Sequence, residues 1–146
     1  MTSANFRVGP GQAVGVTEQL ITQVVHAFYE RIRADQTLGP IFESNIGDAW
    51  DIHLAKMCDF WSSILLMTGR FHGTPMAVHV KIPDLGPHHF ALWLRMFRET
   101  VTELCLPDAA DLFVGRSKMI AQSLQYGIAN HRGELPAIAI HSRTDK

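Results

Sequence analysis

Cysteine is scarce in this chain. Cys58 and Cys105 are the only two, and no spacing motif surrounds either, so they read as reduced, buried thiols rather than a disulfide framework, with a bridge between them left open. No stretch reaches the ~20 consecutive apolar residues that a membrane span requires. The N-terminal "MTSANFRVGPGQAVGV" has no apolar centre of a secretory leader, and the expected location is the cytoplasm. Neither sign of charge dominates. Thirteen basic residues stand against fourteen acidic ones, which leaves no electrostatic footprint for nucleic acid or an anionic membrane surface as a partner. Also missing are a Gly-rich phosphate loop after a strand, a nucleophile elbow and a pair of carboxylates inside an apolar stretch. A structural zinc site would need about four ligands at short spacing, and neither the adjacent His88 and His89 nor the isolated cysteines supply them.

What is present is a chain of 146 residues, 47% hydrophobic, the size of one domain with one substantial core. Nothing alternates at period two, and four long segments carry helical periodicity, so the fold class expected is all-α. In "TEQLITQVVHAFYERIR", Ile21, Val25, Phe28 and Ile32 fall on one side and Thr17 is placed as N-cap. Gly39 and Pro40 should stop any helix before "IFESNIG", and Asp48 should cap a second long helix that ends near Gly69. A third begins after Pro87 and stops before Pro107; a fourth runs from about Asp108 to Ala129. The expected organisation is a flexible extension over residues 1–15, a domain over 16–130 and a loosely held tail over 131–146.

Several polar side chains sit where an apolar face would be expected. On the second long helix, Trp50, His53, Met57, Phe60, Trp61 and Ile64 share one arc at 100° per residue, and His53 lies well inside it, with Lys56 at its edge. Taken singly, such a histidine is most simply a core residue satisfied by a backbone carbonyl. Tyr29 is on the shoulder of the first helix's apolar face, and Trp93 is central to the third helix's stripe with Phe90, Phe97, Val101 and Leu104. Each alone is core packing. The connector "TPMAVHVKIPDL", residues 74–85, adds a lone His79 among Met76, Val78, Val80, Ile82 and Leu85, which look dressed for burial. Together these residues describe an apolar pocket with a few convergent polar groups, the usual construction of a cofactor site. His26, His72, His131 and His141 read as solvated and receive no role. Haem suits the set better than zinc, because its iron needs as few as one protein ligand while its wide ring needs an aromatic and aliphatic lining.

Four segments in series, "FYERIRADQTLGPIF", "WDIHLAKMCDFW", "PMAVHVKIPDL" and "HHFALWLRMF", resemble the successive signatures of the truncated haemoglobins, group III, over about residues 16–129. The absence of any Gly-Gly pair agrees with that branch, which lacks the paired-glycine turns of the other two groups. The resemblance implies a globin-like fold, a shortened two-over-two helical sandwich around haem b (iron protoporphyrin IX). It makes His79 the proximal iron ligand, and Tyr29, His53 and Trp93 the distal residues that stabilise a bound ligand. Phe42 matches the phenylalanine that packs on haem, Lys56 resembles the residue that pairs with a propionate, and Met57, Phe60 and Trp61 would line the haem or the distal pocket.

The ligands implied are O2, NO, CO or peroxide. Donors aimed at a partly negative dioxygen would hold it tightly, which suits NO dioxygenase or peroxidase-like consumption with electrons from a separate reductase, and suits rapid oxygen carriage poorly. Two other readings stay open: a non-enzymatic O2 or NO sensor or store, and a cofactor-free helical interaction domain whose histidines are accidental.

Overall fold

The structure, a computed structural model, describes residues 9–133; the rest of the expected extension and tail lies outside the described residues. Six α-helices follow one another: α1 (Glu18–Ala34), α2 (Leu38–Ile46), α3 (Trp50–Leu66), α4 (Pro75–His79), α5 (Pro87–Leu104) and α6 (Pro107–His131). No strand occurs among the described residues, in keeping with the all-α expectation.

Helix α1 starts where its side chains dictate. Thr17 is extended, and its Oγ1 accepts the Leu20 N–H at 3.1 Å, satisfying one of the donors that a helix start leaves unpaired. Ile21, Val24, Val25, Phe28, Tyr29 and Ile32 are buried, and burying each aliphatic or aromatic side chain stabilises the fold by roughly 1.5–3 kcal/mol. Two places depart from the sequence reading. Gly39 and Pro40 lie inside α2 rather than before it. The Asp35 carboxylate accepts the Thr37 and Leu38 N–H groups at 2.9 and 2.8 Å, so the helix starts at Leu38, and Pro40 falls in a first turn whose N–H groups have no intrahelical acceptor to lose. Asp48 is not the cap of α3 either: the cap position falls on Ala49, without a side-chain bond. A turn closed by the Ala49 N–H on the Ile46 carbonyl at 3.0 Å holds Asp48 one residue too early. At its far end α3 stops at Leu66, with Met67 in the left-handed region.

Helix α1 packs on α2, α3 and α5, while α6 packs on α5 and α4. Only Cys105 and Leu106 separate α5 from α6, a connection short enough to fold the two helices back on each other. The first described residues also belong to this body. The Gly11 N–H bonds the Leu65 carbonyl at 2.7 Å, and a Cβ at Gly11 would meet that oxygen at 2.8 Å, so the stretch before α1 lies directly on the end of α3. Cys58 and Cys105 are free and half-buried.

The buried side chains form two clusters rather than one. The larger joins α1, α2, α3, α5 and the start of α6 around Phe28, Trp61, Phe97 and Phe113. The smaller is Leu85, Phe90, Ala121, Leu124 and Ile128, with Met76, Val80 and Ile82 packed against it. His79 rides on the second cluster. Tyr29, Trp50 and the helix that carries His53 belong to the first.

Candidate functional site

The short helix α4 fixes one imidazole. Pro75 opens it, and the His79 Nδ1 lies 2.6 Å from the Pro75 carbonyl one turn back. A carbonyl only accepts, so Nδ1 carries a proton; in the neutral imidazole that leaves Nε2 with the free lone pair, on the other side of the ring. No hydrogen bond to His79 Nε2 is formed among the described residues. A metal-binding histidine is usually oriented in this way, by a second bond from its other nitrogen.

His53 is held differently. Its ring meets Tyr29 edge-on at 4.9 Å and Trp50 at 5.7 Å. The buried hydroxyls of Ser62, Thr100 and Ser117 all find partners, whereas His53 Nε2 is the one buried side-chain nitrogen or oxygen among the described residues with none. Leaving such a group unpaired costs roughly 1–3 kcal/mol. Burial, then the nearby Lys56 charge, then His79, push the His53 ring down to about 4, so it is neutral at ordinary pH.

The remaining expected residues distribute around this pair. Tyr29 is buried and meets Phe28, Phe42 and Trp50 as well as His53. Burial raises its hydroxyl far above the usual tyrosine range, so it stays a neutral O–H donor. Trp93 is half-buried, edge-on to Phe28 at 5.5 Å and stacked on Phe97 at 5.5 Å. Tyr29 and Trp93 therefore flank the same Phe28 ring. Met57 and Phe60 are half-buried and Lys56 is exposed. Trp61 sits in the larger core cluster, stacked on Phe97 at 5.1 Å and tilted against Phe113.

Three residues were not singled out in the sequence as a group. The Trp50 indole N–H donates to Glu43 Oε1 at 3.0 Å, Arg33 Nε donates to the same oxygen at 3.2 Å, and the Arg33 guanidinium lies 4.4 Å over the Trp50 ring. Arg33 comes from the end of α1, Glu43 from α2 and Trp50 from the start of α3, so no local pattern announces them. The signal that was available is Trp50 on the same arc as His53.

The haem expected from the sequence can be tested against these residues. An iron porphyrin needs one free ring nitrogen, an apolar slot and separation of that slot from bulk water. His79 Nε2 supplies the first. The half-buried Phe42, Met57 and Phe60, packed against the larger cluster, and Met76 and Val80, packed against the smaller, are the candidates for the second, and the unpaired His53 Nε2 is a polar atom that a bound ligand could satisfy. The residues fit.

No protein-family model matches the chain. A group 3 truncated hemoglobin of Campylobacter jejuni is 31% identical over 121 residues, which cover 81% of this chain and 95% of that protein. The crystal structure of a group III truncated hemoglobin from Campylobacter jejuni superposes with a TM-score of 0.74 at 31% identity, over 77% of this chain and 91% of that one. Two more distant structures share the fold. A group II truncated hemoglobin from Bacillus anthracis gives a TM-score of 0.65 at 20% identity, over 82% of this chain and 92% of its own. A truncated oxygen-avid haemoglobin from Bacillus subtilis gives 0.64 at 23%, over 80% of this chain and 98% of its own. With that identity over nearly the whole length of the relative, and with the same helix-pair architecture, the chain belongs to the truncated hemoglobin family, group III.

Proposed function

We propose that the protein holds haem b through His79 and binds O2 tightly on the side of the ring that faces Tyr29, His53 and Trp93. The observation that carries this reading is the pair of ring nitrogens left without protein partners among the described residues, His79 Nε2 on α4, whose neighbours pack against the smaller cluster, and His53 Nε2 on α3, which packs in the larger. When bound, haem supplies an iron with a coordination position open to a diatomic ligand. Everything else is the work of the chain. The Pro75 carbonyl keeps the proton of His79 on Nδ1 and the lone pair on Nε2. Tyr29 stays protonated and Trp93 offers an indole N–H, so both act as donors toward partial negative charge. His53, neutral at ordinary pH, can donate or accept according to its tautomer. Phe42, Met57 and Phe60, all half-buried, would line the ring, and the exposed Lys56 would pair with a propionate.

A hydrogen bond to a charged group in a dry site contributes roughly 1.5–3 kcal/mol, so two donors would slow ligand escape by about two to four decades. Slow release serves retention and consumption better than carriage. The reaction this favours is removal of NO or peroxide, with electrons from a separate reductase; storage or sensing of O2 or NO uses the same pocket without turnover. No helix among the described residues is long and apolar enough to cross a membrane, and the small ligands named reach the site by diffusion.

Tyr29→Phe removes one hydroxyl with almost no change in volume. If Tyr29 donates to the ligand, O2 dissociation measured by stopped flow accelerates about ten-fold or more, while dissociation of the less polar CO changes far less. Equal and small effects on both gases would show that Tyr29 only packs.

A further inference from the structure

Between α1 and α3 lies a cavity of about 530 Å³, walled by His26, Tyr29, Glu30, Arg33, Trp50 and Leu54 among others, for which the reading above has no use. Tyr29 and Trp50 belong both to its wall and to the cluster of rings around His53, with Trp50 6.0 Å from Tyr29 and 5.7 Å from His53. Tyr29 and Trp50 together therefore stand between this outer pocket and His53. Although only 7% exposed, the ring is fastened from outside the core. Glu43 takes its N–H, Arg33 lies over its face, and Arg33 and Glu43 pair with each other at 3.2 Å. The side chains of that pair are 48% and 47% exposed, in the regime where water and salt compete with an ion pair. One surface pair thus fixes both the edge and the face of a buried ring.

We propose that the Arg33–Glu43 pair locks Trp50 across the passage from the α1–α3 cavity to the distal residues, and that Glu43 sets the rate at which small uncharged diatomic ligands are admitted. The inference rests on the haem reading, because an admitted ligand needs an iron to reach. Glu43 is a positioning residue: it acts through Trp50 and touches neither haem nor ligand. A partition made of aromatic rings, opening by rotation of one indole, suits small neutral gases and disfavours anions.

The test uses the haem-loaded chain and its Glu43→Ala and Glu43→Gln variants. CO rebinding after laser photolysis gives the rate of admission, and exchange of the Trp50 indole N–H with solvent, followed by NMR in both haem-free and haem-loaded protein, reads the lock itself. In Glu43→Ala the indole N–H exchanges about ten-fold faster and CO associates about five-fold faster. Glu43→Gln, which keeps an acceptor for the indole but loses the ion pair, falls between. High salt speeds CO association in the parent protein and leaves Glu43→Ala unchanged. Faster indole exchange with unchanged CO association overturns the proposal, because the lock would then guard no passage; unchanged indole exchange overturns it because there is no lock. A chain that takes up no haem is recognised by absorbance before any rebinding is measured, and that result removes the functional reading along with this inference.

Discussion

At the scale of single residues the site depends on which nitrogen is left over. His79 spends Nδ1 on Pro75 and His53 has a buried Nε2 that bonds nothing. The second fact has a cost that pH reveals. In an unfolded chain the His53 ring takes up a proton near its ordinary 6.5, whereas in the folded protein it resists until about 4. Between those values the unfolded state binds more protons, so stability falls as the pH drops through that window and is unaffected above it. Denaturant unfolding of the haem-free protein should show this decline, and His53→Gln should flatten it. An unchanged pH dependence in that variant would mean that His53 is solvated rather than buried. The sequence already placed His53, Tyr29 and Trp93 on inward-facing arcs, because helical periodicity reports direction. It could not show that Arg33, Glu43 and Trp50 meet, because they come from three helices and only the packing of α1, α2 and α3 brings them together.

At the scale of elements, short-range chemistry was legible where one side chain decides the outcome. Thr17 caps α1 as its type suggests, and Pro75 opens the single turn that carries His79. Where a residue type has two uses, the sequence pointed the wrong way: Gly-Pro at 39 and 40 reads as a stop and is the first turn of α2. Gly39 is there for closeness, since a Cβ on it would lie 2.8 Å from the Arg33 carbonyl oxygen. Gly39→Ala must therefore push α2 away from α1, at about 1–3 kcal/mol of stability, and should loosen Glu43 and Phe42, which α2 carries. A urea midpoint equal to that of the parent protein would contradict the close approach. The ends of α1 and α3 are tied by a different device. Arg70 bonds Glu18 at 2.7 Å, Asp59 at 3.2 Å and Ser62 at 3.0 Å, and its bond holds the Glu18 carboxyl below the usual range. That contribution is present above the ordinary carboxylate value and is lost as the pH falls through the lowered one. Because the pair is about half exposed, the effect is small and screened by salt. Arg70→Gln should remove this acid-sensitive part of the unfolding curve, and an acid limb identical to the parent's would assign it to other carboxylates.

At the scale of the whole molecule, a chain of this size would ordinarily close around one continuous core. Here the buried residues fall into two clusters that share Ile120, with α3, which carries His53, in the larger and α4, which carries His79, packed against the smaller. The four segments that bear the family resemblance carry Tyr29, His53, His79 and Trp93, which is why the fold class could be read from sequence, whereas the Trp50 lock depends on the packing of three helices. A ligand that binds the folded state alone stabilises the fold by mass action, so haemin uptake should raise the midpoint of thermal unfolding; a midpoint that does not move would mean that the clusters need no such filler. The most direct test of the account is the absorption and resonance Raman spectrum of the ferrous, ligand-free protein compared with its His79→Ala and His53→Ala variants, each with and without added imidazole. The account predicts an iron–histidine vibration in the parent and in His53→Ala, its loss in His79→Ala, and its partial return when imidazole is supplied. An unchanged ferrous spectrum in His79→Ala, or the same loss in His53→Ala instead, would contradict it.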